Sequence, residues 1–523
     1  MLMFINRNKI CLILLSLIGI QSYSQKIVWD QSYGGIHGEY LMDAIATADY
    51  GFILAGSSVS GKTGNKKQDN QGNLDYWIWK MNEHGEQEWQ KSFGGSGRDL
   101  LYSIDMSSDG GYVLGGSSDS NATEGMKKGN CKGSEDYWVV KLDAGGNVLW
   151  EKTLGGRGQD VLTKVISLKD GGVLLGGSSN SDKSDDKQKD SYGGMDFWIV
   201  KLDSKGKIEW ERTLGGKYHD ELKSMIVTSD GGYMLGGSTN SPSSDTKSTD
   251  NLTGDYWIVK LDKSGNTQWE TTYGGEGNDE LTVLMELKDG NYIAGGNSDS
   301  SPAKNGADVW LINLDAKGLV NWQKNYDIGS MDLLTSVLEN PDSTLVLGIH
   351  SKGGNINLKS MRKKEQIDEY VLLKISPKGE EKWSKNVGSG GIDVLKKVVM
   401  ARDGGYVMSG ISESNSTRGD RSSIIGSKDF WVVKLGDKEK EEVKKKSIEA
   451  FPNPAITYTN IIIGHDYEKG VATVFDLNGR QLQRFEIEGN RTIPVDLSGL
   501  PMGMYLIHIK TDVQEDGIKI MKK

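Results

Sequence analysis

The chain has 523 residues, which is too many for one ordinary hydrophobic core and enough for a large repeat array. Its 69 Gly, with only 8 Pro and 14 Trp, exclude a disordered composition and favour short strands joined by tight turns. The net charge of −10, without a basic stripe, argues against nucleic acid and anionic membrane surfaces as partners.

The N-terminus has the pattern of a secretory signal. Arg7 and Lys9 precede an apolar run at 10–20, and small polar residues follow near Ser24. A membrane-spanning helix needs about 20 apolar residues, so this run is too short to be one. We therefore predict a signal peptide over 1–24 and no transmembrane segment. Its removal leaves Cys131 as the single cysteine, so the mature chain has no internal disulfide and depends on burial for stability.

Three phrases then recur about every 60 residues. The first ends in a Trp and precedes a Gly cluster, at Trp29, Trp89, Trp150, Trp210, Trp269, Trp322 and Trp383. The second has the form "DYW", at Trp77, Trp138, Trp198, Trp257, Trp310 and Trp431, with Val371 in the corresponding place of a further copy. The third is the turn phrase "DGGY" at Asp109, with relatives at Asp49, Asp170, Asp230, Asp289, Asp342 and Asp403.

Each repeat predicts four antiparallel strands, because short β-branched and aromatic runs alternate with Gly and Asp turns. Seven such units predict an all-β fold, a seven-bladed β-propeller over 25–435, with a β-solenoid as the alternative. The strand at Trp29 lacks a "DYW" partner, and the strand at 429–435 lacks a following Trp strand. We predict that the N-terminal strand completes the last blade and removes two open sheet edges.

The repeated residues are predicted to be structural. The thirteen repeat tryptophans should fill the wedges between neighbouring blades. A recurring carboxylate follows each Gly loop and is predicted to accept loop hydrogen bonds rather than to catalyse; these residues are Glu39, Asp99, Asp160, Asp220, Asp279, Asp332 and Asp393.

Function is predicted to reside on one rim of the ring, where the long polar loops between second and third strands gather. We predict binding of a macromolecular partner, an unidentified surface protein or glycan. The alternatives are a carbohydrate-active enzyme or lectin with a site at the axial channel, and a mainly structural envelope component. No residue is assigned a catalytic role and no cofactor is predicted. A calcium site at Asp182, Asp185, Asp186 and Asp190 is the one metal hypothesis, and interleaved lysines weaken it.

A charged linker over 436–446 leads into a different pattern over 447–523. Alternating strands and an Asn-Gly turn there predict a small β-sandwich. This segment resembles the type A C-terminal sorting domain of the type IX (Por) secretion system of Bacteroidetes. The residues that carry the resemblance are Pro452, Asn453, Pro454, Asp476, Asn478, Gly479, Asp496, Gly499, Leu500, Gly503, Tyr505, Lys522 and Lys523.

The resemblance implies export across both membranes, recognition by the type IX machinery and its sortase, and a final place outside the cell or on the outer-membrane surface. The ligand, any catalysis, cleavage of the C-terminal domain and the oligomeric state stay open at this point.

Overall fold

The computed structural model describes residues 25–123, 127–250, 253–300, 306–353, 368–413, 417, 419–436 and 445–523. The predicted signal peptide and most of the predicted linker lie outside these ranges. The described residues form strands, turns and loops without any helix, so they include no helix that could cross a bilayer. The protein is all-β, as the sequence predicts.

Seven four-stranded antiparallel sheets occupy the described residues between Lys26 and Gly436, and each resembles a propeller blade. Sheets 1 and 2 contain β2 (Glu39–Ala46), β3 (Phe52–Ser58), β4 (Asp75–Met81), β5 (Gln87–Phe93), β6 (Asp99–Met106), β7 (Tyr112–Ser118), β8 (Asp136–Leu142) and β9 (Val148–Leu154). Sheets 3 and 4 contain β10 (Asp160–Ser167), β11 (Val173–Ser179), β12 (Asp196–Leu202), β13 (Ile208–Leu214), β14 (Asp220–Val227), β15 (Tyr233–Thr239), β16 (Asp255–Leu261) and β17 (Thr267–Tyr273). Sheets 5 and 6 contain β18 (Asp279–Glu286), β19 (Tyr292–Ser298), β20 (Asp308–Leu314), β21 (Val320–Tyr326), β22 (Met331–Glu339), β23 (Leu345–Lys352), β24 (Asp368–Ile375) and β25 (Glu381–Val387).

Sheet 7 joins the two ends of the repeat array. It contains β26 (Asp393–Met400), β27 (Tyr406–Ser412), β28 (Asp429–Gly436) and, beside β28, the N-terminal strand β1 (Lys26–Tyr33). The register places Ser32 opposite Trp431. The two strands that lack partners in the sequence pattern therefore pair with each other.

Tight turns connect the first and second strands of the sheets, and all but the turn of sheet 6 contain glycine. In sheet 2, Gly110 adopts a φ of +87°, a conformation that side chains with a Cβ rarely adopt. The amide of Gly110 donates to the carbonyl of Ser107 at 2.8 Å, and the Asp109 carboxylate accepts the Gly111 amide at 3.1 Å. The "DGGY" phrase thus forms the turn that its residues predict.

Two layers of tryptophan lie within the sheets. The third-strand residues Trp77, Trp138, Trp198, Trp257 and Trp431 are buried, and Trp310 is partly buried. The fourth-strand tryptophans are partly buried: Trp29, Trp89, Trp150, Trp210, Trp269, Trp322 and Trp383. A third-strand aromatic ring stacks on the third-strand tryptophan of the next sheet, as in Tyr137 and Trp198, whose ring centroids lie 4.6 Å apart. These contacts pack neighbouring sheets face to face.

The C-terminal residues form two further sheets with a separate core. The three-stranded sheet contains β29 (Ile448–Phe451), β30 (Tyr458–Ile463) and β33 (Thr492–Asp496). The four-stranded sheet contains β31 (Gly470–Asp476), β32 (Gln481–Ile487), β34 (Gly503–Thr511) and β35 (Glu515–Lys522). Ile461, Val495 and Ile507 are buried in a core cluster made only of residues from this segment.

Candidate functional site

The residues that resemble a sorting signal are hydrogen-bonded within the C-terminal segment. The side chain of Asn453 donates to the carbonyl of Lys519 at 2.9 Å and accepts the amide of Met521 at 3.0 Å. The amide of Lys523 donates to the carbonyl of Ala455 at 2.9 Å. The Pro-Asn-Pro stretch (Pro452, Asn453 and Pro454) is thereby attached to the last strand, β35.

Two turns use the predicted Asp and Gly residues. The carboxylate of Asp476 accepts the amides of Asn478 and Arg480, each at 2.9 Å, and Gly479 adopts a φ of +79°. In the second turn, the carboxylate of Asp496 accepts the amide of Ser498 at 2.7 Å. Both carboxylates have a local structural use as turn acceptors.

Lys522 closes the second turn from the opposite strand. Its ammonium group donates to the carbonyls of Leu497 and Leu500, each at 2.5 Å, and to that of Ser498 at 3.2 Å. The hydroxyl of Tyr505 donates to the carbonyl of Pro501 at 2.6 Å, just beyond the Gly499–Leu500 pair. The C-terminal basic end therefore holds the 496–501 turn, with Gly503 at the start of β34.

Large apolar side chains are exposed at the same end of this segment. Leu477 is 68% exposed and Met502 is 81% exposed, and Ile456 and Met521 are exposed too. The register brings them together, since Asp476 lies opposite Tyr505 and Met504 opposite Met521. Exposed apolar patches on soluble proteins are common at interaction surfaces.

The C-terminal segment packs against the tight-turn face of the seven sheets. Glu83, 2% exposed in the third-to-fourth turn of sheet 1, accepts hydrogen bonds from Arg491 at 2.5 and 2.7 Å, and Lys445 also contacts it. Burial alone would raise the pKa of Glu83, but hydrogen bonds from Lys445 and Arg491 outweigh it and hold the pKa at about 2. The sequence analysis missed this ion pair, because Glu83 and Arg491 lie far apart in the chain.

Other contacts to the same face involve first-to-second turns. Thr492 donates to Asp49 at 2.8 Å, and the hydroxyl of Tyr50 donates to Glu449 at 2.8 Å. Arg402, in the turn of sheet 7, forms an ion pair with Glu449 at 3.1 Å. The long loops between second and third strands leave the sheets at the opposite face.

The recurring carboxylates accept loop hydrogen bonds. Asp160 accepts the amide of Gly156 at 2.8 Å and the hydroxyl of Ser181 at 2.9 Å. The same arrangement of a Gly amide and a Ser hydroxyl is found at Asp99, Asp220 and Asp279. Glu39 accepts from Ser58, Asp332 from two loop amides, and Asp393 from Ser389.

Several of these recurring carboxylates have a second carboxyl group next to them. A Cβ added to Gly155 would lie 2.2 Å from Asp136 and 2.8 Å from Asp160, so only glycine fits between the two groups. Burial, with the neighbouring Asp220, raises the pKa of Asp196 to about 6. Burial likewise raises the pKa of Asp75 to about 6 and that of Glu39 to about 7.

These carboxyl pairs predict that stability falls as the pH rises from 5 to 7. The folded chain binds protons at these groups that the unfolded chain has already released, so each raised pKa contributes stability that is lost as the pH passes through it. Each group contributes up to about 1.4 kcal/mol per pH unit. Thermal unfolding across this range measures the effect.

Asp196→Asn provides the matched variant, because an amide resembles the protonated carboxyl and keeps an acceptor for Tyr192. We expect a smaller loss of stability between pH 5 and pH 7 in this variant. Asp182→Asn, at an exposed loop residue, should behave as the unmodified chain does. A wild-type stability that rises over this range would contradict the prediction.

The long loops of four sheets are each organised around a buried lysine: Lys66, Lys127, Lys187 and Lys247. The ammonium group of Lys66, for example, donates to the carbonyls of Ser60 and Gln68 at 2.9 and 2.8 Å. In sheet 7, Arg421 forms a buried ion pair with Asp429 at 2.5 Å. The sequence indicated only that these loops are polar.

The four residues of the calcium hypothesis lie in the loop of sheet 3. Asp186 accepts from Lys132 and from the amide of Gly155, and Asp190 accepts the amide of Lys183 at 2.8 Å. Asp182 and Asp185 are exposed. Among the described residues, the acidic group whose oxygens converge within 4.8 Å is a different one, Asp308, Asp327 and Asp332. Calcium at the four loop residues stays a prediction.

A cavity of about 500 Å³ opens between sheets 6 and 7. Its wall includes His350 and Asp368, whose side chains are 3.3 Å apart, together with Lys396 and Glu413. β23 ends at Lys352 and β24 begins at Asp368, so the cavity lies at the long-loop face. Burial lowers the pKa of His350, although Asp368 opposes the shift, and burial also lowers the pKa of Lys396.

The cavity lies where the repeat is broken. In sheets 1, 2 and 3 a serine at the position of His350 joins the next sheet; Ser57, for example, accepts the amide of Leu101 at 2.9 Å. His350 forms its contact with Asp368 instead. The loss of the repeat tryptophan at Val371 signals the irregular sixth unit in the sequence, but not the cavity.

A charged cluster joins the first strands of four sheets. Asp43 in β2 lies 3.2 Å from Lys397 in β26 and 3.5 Å from Lys164 in β10, and accepts the hydroxyl of Ser103 in β6 at 3.3 Å. Burial alone would raise the pKa of Asp43, but the two ammonium groups outweigh it and lower the pKa. No repeat phrase predicts this group.

Comparison with known proteins matches the C-terminal segment to a family. Residues 449–523 match the family model of the secretion system C-terminal sorting domain. The fold and this segment define an exported all-β protein that carries the address of a secretion system. The protein is therefore located at the cell surface or outside the cell.

Similarity over the rest of the chain is limited. The regulatory protein FlaEY of Caulobacter vibrioides is 30% identical over 179 residues, which are 32% of this chain and 18% of that relative. The chain thus spans less than a fifth of the relative's length.

Several solved structures are similar at low sequence identity. A gluconolactonase from Xanthomonas campestris has a TM-score of 0.32 and 9% identity, covering 77% of this chain and 97% of its own. An apocarotenoid oxygenase from Synechocystis has a TM-score of 0.36 and 9% identity, covering 89% and 96%. A mannose phosphorylase from Leishmania mexicana has a TM-score of 0.26 and 10% identity, covering 51% and 80%. Likeness at this level does not define a function.

Proposed function

We propose that residues 25–435 form a closed seven-bladed β-propeller whose tryptophans fill the wedges between blades. The pairing of β1 with β28 supports closure. So do the rings of Trp77 in sheet 1 and Phe430 in sheet 7, which lie 4.9 Å apart, and the ion pair between Asp43 and Lys397 in the same two sheets.

The remaining segments serve export in this proposal. Residues 1–24 are a signal peptide, 436–446 a linker, and 447–523 a β-sandwich read by the type IX machinery and its sortase. The exposed apolar end at Ile456, Leu477, Met502 and Met521 is the surface we assign to that recognition.

The propeller itself binds a macromolecular partner, a surface protein or a glycan, through its long-loop face. The observation that carries this proposal is the division between the two faces. The C-terminal segment contacts the tight-turn face through Glu83, Asp49 and Tyr50, whereas the cavity beside His350 opens at the long-loop face. A rigid scaffold with polar loops and one irregular cavity is typical of a binding surface.

Binding to an array of glycans and surface proteins tests this function. We expect the double variant His350→Ser and Lys396→Ala to reduce affinity for any bound partner by about tenfold or more, because both side chains line the cavity. Exchange of the loop of sheet 3 should reduce binding as well. Lys201→Ala, on the third strand of sheet 3 near the tight turns, is the matched control.

The enzyme or lectin alternative would place its site at Asp43, where the first strands of four sheets meet. Turnover of a polysaccharide that is lost in Asp43→Asn would favour that alternative. Partner binding unaffected by both the cavity variant and the loop exchange would overturn the proposal.

A further inference from the structure

Three departures from the repeat meet at the cavity between sheets 6 and 7. In the second strands, His350 stands at the position of Ser57, Ser117, Ser178, Ser238, Asn297 and Ile411. Two residues later, Lys352 stands at the position of Val59, Asp119, Asn180, Asn240, Asp299 and Glu413. At the bulge of the first strands, Lys396 stands at the position of Met42, Tyr102, Thr163, Lys223, Thr282 and Thr335. All three side chains line the cavity, so basic side chains replace mostly neutral or acidic ones at one place.

The basic groups of the cavity lie near one another. Burial lowers the pKa of His350, Asp368 opposes the shift, and the nearby ammonium groups of Lys352 and Lys396 add to it. Burial also lowers the pKa of Lys396, and the ammonium group of Lys428 acts in the same direction. Like charges at a partly buried place destabilise one another, and a bound anion would stabilise them.

The two acidic side chains of the cavity wall contact other basic groups. Asp368 lies 3.3 Å from His350, and Glu413 forms an ion pair with Lys428 at 2.5 Å. Among the described residues, no ion pair joins either acid to the two lysines that line the cavity. The ammonium groups of these lysines are therefore available to a ligand that enters the cavity.

The sequence that joins β23 to β24 adds positive charge. Residues 354–367 lie outside the described residues, and their charged residues are four basic and one acidic, a net charge of +3, whereas the whole chain has −10. These residues are Lys359, Arg362, Lys363, Lys364 and Glu365. Because β23 ends at Lys352 and β24 begins at Asp368, this charge is attached beside the cavity. A local excess of positive charge on an acidic protein favours anionic ligands.

We propose that this cavity binds an acidic sugar residue of a polysaccharide, one that carries a carboxylate or a sulfate group. This inference rests on the proposed function and names the class of ligand at the same site. Lys352 and Lys396 donate charge-assisted hydrogen bonds to the anionic group. Leu333, Ile392 and Val394, in the same wall, offer apolar contact to the C–H face of a sugar ring.

The shape of the site favours a sugar over an acidic protein. The volume of about 500 Å³ lies in the range of roughly 300–1,000 Å³ that is typical of pockets for small ligands. A protein partner instead needs a broad surface, about 800 Å² on each side of a standard interface. A single ring that extends from a polysaccharide chain fits a cavity of this size.

Calorimetric titration of the purified full chain with polygalacturonate, dextran sulfate and unmodified dextran tests the proposal. We expect at least one of the two acidic polymers to bind, with an affinity that falls as NaCl is added, because salt screens the lysines. Unmodified dextran should not bind. The polymer that binds more tightly shows whether the site prefers a carboxylate or a sulfate.

The triple variant His350→Ser, Lys352→Asn and Lys396→Thr is the decisive change. Each substitution restores a residue that the repeat has at the same position in other sheets, so the variant should fold normally. We expect it to bind the acidic polymers about tenfold more weakly or not at all. The matched control is Lys205→Ala with Lys207→Ala, which removes two charges at exposed residues of a tight turn of sheet 3 and should bind as the wild type does.

Binding of neither acidic polymer, equally tight binding of dextran, or unchanged binding by the triple variant would overturn the proposal. Poly-glutamate represents the other class of partner. If poly-glutamate bound and the acidic polysaccharides did not, the partner would be an acidic protein and the proposal would be wrong. A neutral partner from the array that lost affinity in the cavity variant would also overturn this inference, but it would support the proposed function.

Discussion

Deletion of residues 447–523 is expected to abolish surface display and to trap the protein in the periplasm. The matched sorting family covers 449–523, which is nearly all of the deleted segment. The seven sheets should remain folded after the deletion, because the buried residues of the C-terminal segment form a core cluster of their own. Cell fractionation, with an antibody against the seven sheets, measures the location of the truncated chain.

A point variant distinguishes the export role of the C-terminal segment from its contact with sheet 1. Glu83→Gln weakens the ion pair with Arg491 but leaves residues 447–523 intact, so export should continue. Limited trypsin digestion should cut this variant faster near the lysine-rich 436–446 segment, since its C-terminal domain is held less firmly. Undiminished display of the truncated chain would disprove the role of the C-terminal domain as the address.

Deletion of residues 26–33 is expected to cause the largest loss of stability of any single-strand change. It removes β1 and uncovers the edge of β28. Tyr33, which is buried, and Trp29, which is partly buried, lose their packing, and Trp431 loses the hydrogen bond that its indole donates to Asp30. We expect the free energy of unfolding to fall by about 5 kcal/mol or more, measured by urea denaturation.

A circular permutant is the matched control for this deletion. Moving 26–33 to follow β28 through a short Gly turn, as third and fourth strands are joined in the other sheets, should restore most of the stability. Restored stability would mean that β1 stabilises the fold by pairing with β28, whatever its position in the chain. A deletion variant as stable as the wild type would contradict the proposed closed propeller.

The strands were largely predictable because the phrase that forms each type of strand occurs several times in the sequence. Similar phrases in several repeats indicate the same secondary structure. The phrases around Trp138, Trp198 and Trp257 therefore locate the third and fourth strands of their sheets. The turn at Gly110 was equally readable, since glycine adopts that backbone conformation at the lowest cost, although Tyr50 and Ser343 adopt it in the corresponding turns of sheets 1 and 6. The sorting segment was recognised in the sequence from turn residues such as Asp476 and Gly479, and the family match confirms it.

The sites were much less predictable, because they depend on departures from the repeat. Val371 marks the sixth unit as irregular. The cavity beside His350 and Asp368 could not be predicted, because residues of two neighbouring sheets line it. The calcium hypothesis followed local acidic density at 182–190. That hypothesis stays a prediction. A separate group of converging carboxylates, at Asp308, Asp327 and Asp332, includes a position where other repeats have glycine.

The sequence by itself determined the all-β class, the repeat unit, the glycine turns and the export address, because each of these rests on residues close together in the chain. Only the tertiary structure decided which distant groups meet. Glu83 with Arg491, Asp43 with Lys397 and Asp49 with Thr492 are pairs more than 350 residues apart. Such pairs carry no local pattern, since the position of each partner is set by the packing of whole sheets.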